Sequence, residues 1–125
     1  MKIVNTLNAP SALGPYSQAI LLENGFLYTS GQIGIDPKNN ILVENDIALQ
    51  TKNVLNNLKA ILNEAGYSEK NVVKATIFLT DLSHFALVNQ LYQDFFEEHK
   101  PARSCIEVNR LPKNALIEIE VIAYK

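Results

Sequence analysis

Hydrophobic residues recur at helical spacing in the segment that follows Asn45 and Asp46, either of which can cap a helix. The apolar positions continue over about five turns, and Gly66 is placed to end the helix. These positions are Ile47, Val54, Leu55, Leu58, Ile61, Leu62 and Ala65. The pattern therefore predicts a long amphipathic helix with one buried face.

A second segment has the same spacing after Asp81 and Ser83, which are alternative caps. Its predicted buried positions are Phe85, Val88, Leu91, Tyr92, Phe95 and Phe96. Pro101 prevents the helix from continuing because proline has no backbone N–H and clashes with the preceding turn. We therefore predict a second amphipathic helix that ends before Pro101.

Shorter segments have the alternation or the β-branched composition that is typical of strands. They are residues 17–23, 26–30, 72–79, 102–108 and 117–124, with a short edge strand starting at Ile3. The Asn24-Gly25 pair predicts a hairpin with a type I′ turn, in which both central residues have positive φ. No repeat or linker interrupts these elements, so we expect a single domain over residues 1–125.

The element order β-β-β-α-β-α-β-β is typical of a two-layer α+β fold, with two helices on one face of a mixed sheet. In the last strand, alternate residues would face the helices: Ile117, Ile119, Val121 and Ala123. The other face would carry Phe78, Ile122 and Tyr124 beside acidic residues, which makes it too apolar to remain in water. We expect self-association to cover this face, with a site at the seam.

Composition excludes several classes of protein. Of 125 residues, 47% are hydrophobic and 19% are charged, which is typical of a globular chain. The net charge of −2 lacks the basic excess that binds nucleic acid. One cysteine forms no internal disulfide, and neither a targeting peptide nor a membrane-spanning run is recognisable. We therefore expect a cytoplasmic protein that binds neither nucleic acid nor membranes.

Two charged residues lie in otherwise apolar strands. Arg103 presents a planar fork of donors that matches a carboxylate, although the residues alone favour a pair with an acid of its own chain. Glu118 is exposed, paired with a cation or held for proton transfer. Glu120 shares its face of the strand, so the alternation does not choose between the two acids.

The remaining reactive side chains form no recognisable set. Cys105 is favoured as a small buried hydrophobic residue, since no motif ties it to His84 or His99. These three residues also lack the spacing of metal ligands. The chain has no phosphate-binding glycine motif. We therefore predict no metal and no cofactor.

Taken together, five segments resemble the RidA (reactive intermediate deaminase, YjgF-like) family over essentially the whole chain. They are Gly14-Pro15-Tyr16-Ser17-Gln18-Ala19, Thr29-Ser30-Gly31-Gln32, Phe85-Ala86-Leu87-Val88-Asn89, Pro101-Ala102-Arg103-Ser104-Cys105 and Ile117-Glu118-Ile119-Glu120-Val121-Ile122-Ala123. The resemblance implies a chorismate-mutase-like α+β fold and a homotrimer with clefts between its subunits.

The resemblance also implies an activity that needs no metal or cofactor. The substrates would be 2-imino acids such as 2-iminobutanoate and 2-iminopropanoate, made by pyridoxal-phosphate-dependent dehydratases and hydrolysed to 2-oxo acids plus ammonia. Arg103 would clamp the carboxylate, Glu118 would hold and polarise the attacking water, and the backbone of Cys105 would contact the imine nitrogen. The residues that would line and close the pocket are Tyr16, Ser30, Gly31 and Asn89.

One segment departs from the family. Between the second helix and Arg103, the chain has only Glu97-Glu98-His99-Lys100-Pro101, where many relatives have several more residues. The preferred substrate side chain therefore stays open. Two other functions also stay open: a non-catalytic trimer that binds 2-oxo or 2-imino acids, and the ribonuclease or translation-inhibitor behaviour attributed to some relatives, against which the net charge argues.

Overall fold

A computed structural model describes residues 1–125, and in it two α-helices pack on one face of a six-stranded sheet. The strands are β1 (Lys2–Val4), β2 (Ala19–Leu21), β3 (Phe26–Thr29), β4 (Ile35–Asp36), β5 (Ile41–Leu42), β6 (Val72–Leu79), β7 (Ala102–Glu107) and β8 (Ile117–Tyr124). The helices are α1 (Ile47–Glu64) and α2 (Phe85–Phe96). The large sheet has the order β1-β2-β3-β8-β6-β7, and β4 pairs with β5 separately. Only β6 and β7 pair in parallel, so the predicted mixed sheet with two helices is confirmed.

Helix boundaries follow local capping. Asp46, rather than Asn45, caps α1 by accepting a hydrogen bond from the Leu49 N–H at 2.9 Å. Gly66 follows the helix in the left-handed region, as predicted. A 3₁₀ turn over Leu82–His84 precedes α2. Helix α2 ends at Phe96, before Pro101 as predicted, and Glu97 takes a φ of 54° at this end.

The hairpin between β2 and β3 is not the predicted type I′ turn. Gly25 has a φ of 89°, whereas Asn24 does not have a positive φ. Leu22 N donates to the Phe26 carbonyl and Gly25 N donates to the Leu22 carbonyl, which defines a three-residue loop ending on a left-handed glycine. A Cβ at Gly25 would clash with the backbone of Lys125, so the chain terminus also requires glycine here.

The core lies between the helices and the inner face of the sheet. The predicted inward residues of β8 are all buried, as are Ala75, Ile77 and Leu79 of β6. On α2, Val88, Tyr92 and Phe96 are buried, while Leu91 and Phe95 are half-buried. Phe85 was predicted to be buried and is instead 40% exposed. It starts the helix beside the edge strand β7, where it meets a side chain of that strand instead of the core.

Two buried amides fix the segments that flank β8. Asn57 donates from Nδ2 to the carbonyls of Ile33 and Ile35, at 3.3 and 2.9 Å. Gln50 accepts a hydrogen bond from the Leu116 N–H at 2.8 Å. Because buried polar groups are costly without partners, these contacts hold the two loops against α1.

The outer face of the sheet carries no helix. Alternation along the strands places Phe78, Ile122 and Tyr124 there, as expected, together with Tyr28 and Ile106. Tyr28, Ile106 and Tyr124 are each more than two-fifths exposed. Burial of this face by self-association stays a prediction.

Neither helix combines the length and apolar character that crossing a membrane requires.

Candidate functional site

Arg103 lies in a cradle formed by one face of α2. In the sheet it pairs with Ala75, a buried residue, so its side chain faces the helices. Its Nη1 donates to Asn89 Oδ1 at 2.7 Å, and its guanidinium carbon lies 4.9 Å from the Tyr92 ring centroid and 5.5 Å from that of Phe85. Residues 85, 89 and 92 have the spacing of one helix face, so α2 supplies all three supports.

No acid neutralises this guanidinium. No carboxylate oxygen lies within 4.0 Å of Arg103, and the only ion pair of the chain joins the Met1 amino group to Glu23. The alternative of a pair with an acid of its own chain is therefore not what the structure shows. A half-buried, oriented guanidinium with free donors is suited to bind a carboxylate from outside. A cavity of about 430 Å³ opens beside it.

Cys105 lies on the same face of β7 as Arg103, opposite Ile77. It packs half-buried against the core. Burial raises the pKa of its thiol, and the nearby Arg103 charge only partly opposes this effect. The thiol therefore stays protonated at neutral pH, which fits a small hydrophobic side chain better than a nucleophile.

A second cluster surrounds Glu118 at the outer face of the sheet. Tyr16, Ser30, Gly31 and Glu118 line a cavity of about 220 Å³ that Leu13, Ile33 and Pro112 complete. The Ser30 hydroxyl donates to the Ser17 carbonyl at 2.6 Å, and the Tyr16 hydroxyl accepts from the Leu13 N–H at 3.0 Å. These bonds hold the loop next to the acid. Glu120 does not line this cavity, so geometry distinguishes the two acids.

The carboxyl group of Glu118 is half-buried and packs directly on Gly31. A Cβ at Gly31 would lie 2.7 Å from the carboxyl carbon, so only glycine allows this approach. Burial raises the pKa of Glu118, and the negative charge of Glu120 raises it further. The group therefore binds a proton more readily than an exposed glutamate does.

Glu118→Gln is expected to stabilise the fold at pH 7. A carboxyl group whose pKa is raised by folding contributes stability below its unfolded pKa, and this contribution is lost as the pH rises through the folded value. The variant should gain less than about 1 kcal/mol at pH 7, since solvent screens a half-exposed charge, and nothing near pH 4. Denaturant unfolding at both pH values measures this. Glu120→Gln is the control with a smaller effect, and a destabilised Glu118→Gln variant at pH 7 would contradict the account.

The two clusters lie on opposite faces of the same sheet. Arg103 pairs with Ala75, which faces the helices, whereas Glu118 pairs with Phe78, which faces away from them. Asn89 therefore groups with Arg103, while Tyr16, Ser30 and Gly31 group with Glu118. Within one chain, the residues around Arg103 lie together and the residues around Glu118 lie together, but the sheet separates the two groups.

No group of three His, Cys, Asp or Glu side chains is arranged to hold a metal ion.

Sequence reasoning missed two supports of Arg103. Both rings contact the guanidinium, although Phe85 and Tyr92 were assigned only to the core. Tyr92 does belong to the core as predicted, whereas Phe85 does not. The spacing of residues 85, 89 and 92 was a usable signal, because it places an amide between two aromatic rings on one helix face.

Comparison with known proteins places the chain in a family. A family model described as endoribonuclease L-PSP matches residues 6–125. The chain belongs to this family, which is also called YjgF, RutC or RidA. It is 54% identical over 124 residues to the RutC family protein PH0854 of Pyrococcus horikoshii, covering 99% of this chain and 98% of that protein.

Two further family members are similar to the chain, one with a named activity and one with a solved structure. Identity is 48% over 127 residues to the 2-iminobutanoate/2-iminopropanoate deaminase of Salmonella typhimurium, covering 99% of this chain and 98% of that protein. The crystal structure of the Rid family protein YyfA from Yersinia pestis superposes with a TM-score of 0.96 at 53% identity, covering 99% and 98% of the two chains. The predicted family and fold are thus confirmed.

Proposed function

We propose that this chain is a deaminase that hydrolyses 2-imino acids, such as 2-iminobutanoate and 2-iminopropanoate, to 2-oxo acids and ammonia. The observation that carries the proposal is the guanidinium of Arg103, which is oriented by Asn89, half-buried and without an acidic partner. The name of the Salmonella relative gives independent support.

In this proposal Arg103 binds the substrate carboxylate. Two parallel N–H donors match the two carboxylate oxygens and fix the plane of the small acid. Asn89 occupies one donor on Nη1, and the rings of Phe85 and Tyr92 restrict the remaining motion. Fixing the substrate in this way supplies much of the catalysis, since orientation alone can lower a barrier by several kcal/mol.

Glu118 then directs the water. The carbon of a protonated imine is already electrophilic, so the reaction needs one water molecule and a base. The carboxylate takes one proton from water as the water oxygen bonds to the imine carbon and the C=N π electrons move to nitrogen. Glu118 then returns this proton to the amine nitrogen, and the C–N bond breaks as the new hydroxyl group loses its proton and becomes the 2-oxo group, which releases ammonia. A pKa raised by burial suits this exchange of protons. The backbone at Cys105 is the proposed contact of the imine nitrogen.

The reacting groups come from two copies of the chain. Because Arg103 and Glu118 lie on opposite faces of one sheet, a small acid cannot touch both within a single subunit. A cleft between neighbouring subunits resolves this, and the partly apolar outer face offers the surface on which copies can associate. We propose a homotrimer with three such clefts, as the resemblance to the family implies.

A coupled assay tests the activity. The protein should accelerate the release of 2-oxobutanoate by threonine dehydratase, because that enzyme releases the imine on which the protein acts. Absorbance of the 2-oxo acid measures the rate. Tight binding of 2-oxobutanoate without any acceleration would instead support a non-catalytic binding protein.

The net charge of −2 gives no support to a ribonuclease function.

Gly31→Ala is expected to lower kcat/KM at least about tenfold and leave the fold intact. The new methyl group pushes the end of the Glu118 side chain, which can move, so the carboxylate leaves its position without disturbing the backbone. Gly14→Ala is the matched control, since its Cβ would lie 3.8 Å from the nearest atom of Tyr16, an ordinary contact. Full activity of Gly31→Ala would show that the position of the carboxylate is unimportant.

A further inference from the structure

The cavity beside Arg103 extends well beyond the guanidinium. It lies between the end of α2 and the short loop Glu97–Pro101, and it has a volume of about 430 Å³. Most of its lining is polar, including Gln93, Glu97, Lys100 and Arg103. A methyl or ethyl side chain fills little of such a space and offers nothing to these polar groups.

Tyr92 contributes to the lining of this cavity, and its hydroxyl is a donor that no group of the chain uses. Tyr92 is 7% exposed, and its buried oxygen has no hydrogen-bond partner. Burial raises the pKa of this phenol to about 12, against the opposing charge of Arg103, so the group remains protonated. An unpartnered buried hydroxyl is unfavourable, and a ligand with an acceptor atom would satisfy it.

Charge in the cavity favours an anion. Arg103 and Lys100 are cationic, Glu97 is the one carboxylate, and neither cation has an acid within 4.0 Å. His99 directs its Nε2 to the Val72 carbonyl at 2.6 Å and adds no negative charge. If the first carboxylate of a substrate occupies Arg103, the charge of Lys100 remains for a second one.

We propose that this cavity receives the substrate side chain and favours a 2-imino acid with a second carboxylate, with Lys100 and Tyr92 as specificity-determining residues. The inference rests on the proposed function, because it takes Arg103 as the site of the first carboxylate. Because the loop is short, Lys100 lies only two residues before the start of β7, the strand that carries Arg103.

A selectivity experiment tests the assignment. Imines are generated in situ from aspartate and from 2-aminobutanoate by amino acid oxidases, and semicarbazide traps whatever the protein does not hydrolyse. Lys100→Met should lower kcat/KM for the dicarboxylic imine about tenfold and change that for 2-iminobutanoate less than about twofold. Lys100→Arg should restore most of the loss. Tyr92→Phe should show the same selectivity with a smaller loss, and Lys38→Met, an exposed lysine outside the cavity, serves as the control.

The outcomes separate this inference from the proposed function. Wild-type protein that hydrolyses 2-iminobutanoate but not the dicarboxylic imine overturns the inference alone, as does an equal loss for both substrates in Lys100→Met. Hydrolysis of neither imine overturns the proposed function. In that case calorimetry decides the pocket assignment: 2-oxoglutarate binding that weakens about tenfold in Lys100→Met supports it, and unchanged or absent binding overturns it.

Discussion

Replacing Arg103 with alanine is expected to lower kcat/KM for 2-iminobutanoate on the order of 10³-fold, which would abolish acceleration in the coupled assay. The variant loses both charge-assisted hydrogen bonds to the substrate carboxylate, and no other cation of the cradle can replace the planar fork. Arg103→Lys should recover only part of the activity, since lysine keeps the charge but not the paired donors. The rate of 2-oxobutanoate release measures both effects.

Two controls separate this loss from unfolding. Arg110→Ala removes an exposed arginine from the loop before β8 and should retain full activity. Thermal unfolding of Arg103→Ala should stay close to the wild type, because removing an unneutralised, half-buried charge also removes its desolvation cost. A fully active Arg103→Ala protein would refute the role of this residue in binding the carboxylate.

Mixing two inactive variants is expected to restore activity. In the proposed homotrimer, Arg103→Ala and Glu118→Gln each lack one half of every cleft, but a mixed oligomer would contain clefts with a wild-type arginine from one subunit and a wild-type glutamate from its neighbour. Random assembly of equal amounts should give about one quarter of the wild-type activity after joint unfolding and refolding. The coupled assay measures the recovery.

The arrangement of the two residues can be checked in a second way. Each variant refolded alone must stay inactive, which controls for contamination and for residual turnover. Equal mixing of the wild type with the double variant should give about one quarter of the activity if the residues act across subunits, and about one half if they act within one chain. No recovery in the first mixture together with one half in the second would disprove a shared cleft.

Local sequence determined most of the fold. The two helices and the alternation of β8 were predictable because each depends on a periodic apolar face. The hairpin turn was not, since Asn24-Gly25 fits both a two-residue and a three-residue loop, and the contact of Gly25 with Lys125 joins residues far apart in sequence. The exact residue at which α2 ends was not predictable, because the positive φ of Glu97 has no recognisable motif.

The motifs supplied the candidate residues and the resemblance implied a site between subunits, but the face of the sheet that each residue occupies was not predictable. The motifs identified Arg103 and Glu118, yet their separation onto two faces depends on how β7 and β8 each pair with β6. The contact between Phe85 and Arg103 was also not predictable, because it too depends on where β7 lies. A phenylalanine at helical spacing normally indicates a core, and only the neighbouring edge strand shows that this ring instead contacts a charge.

The pairing of β7 with β6 restricts how such a chain can diversify. A shift of one residue in this pairing would exchange Arg103 for Ser104 and turn the guanidinium away from α2. Insertions or deletions in Glu97–Pro101 leave the pairing unchanged, because that segment precedes the strand, and they alter only the wall of the adjacent space. Changes in the length of this loop can therefore alter which substrate side chains fit, while the position of Arg103 stays the same.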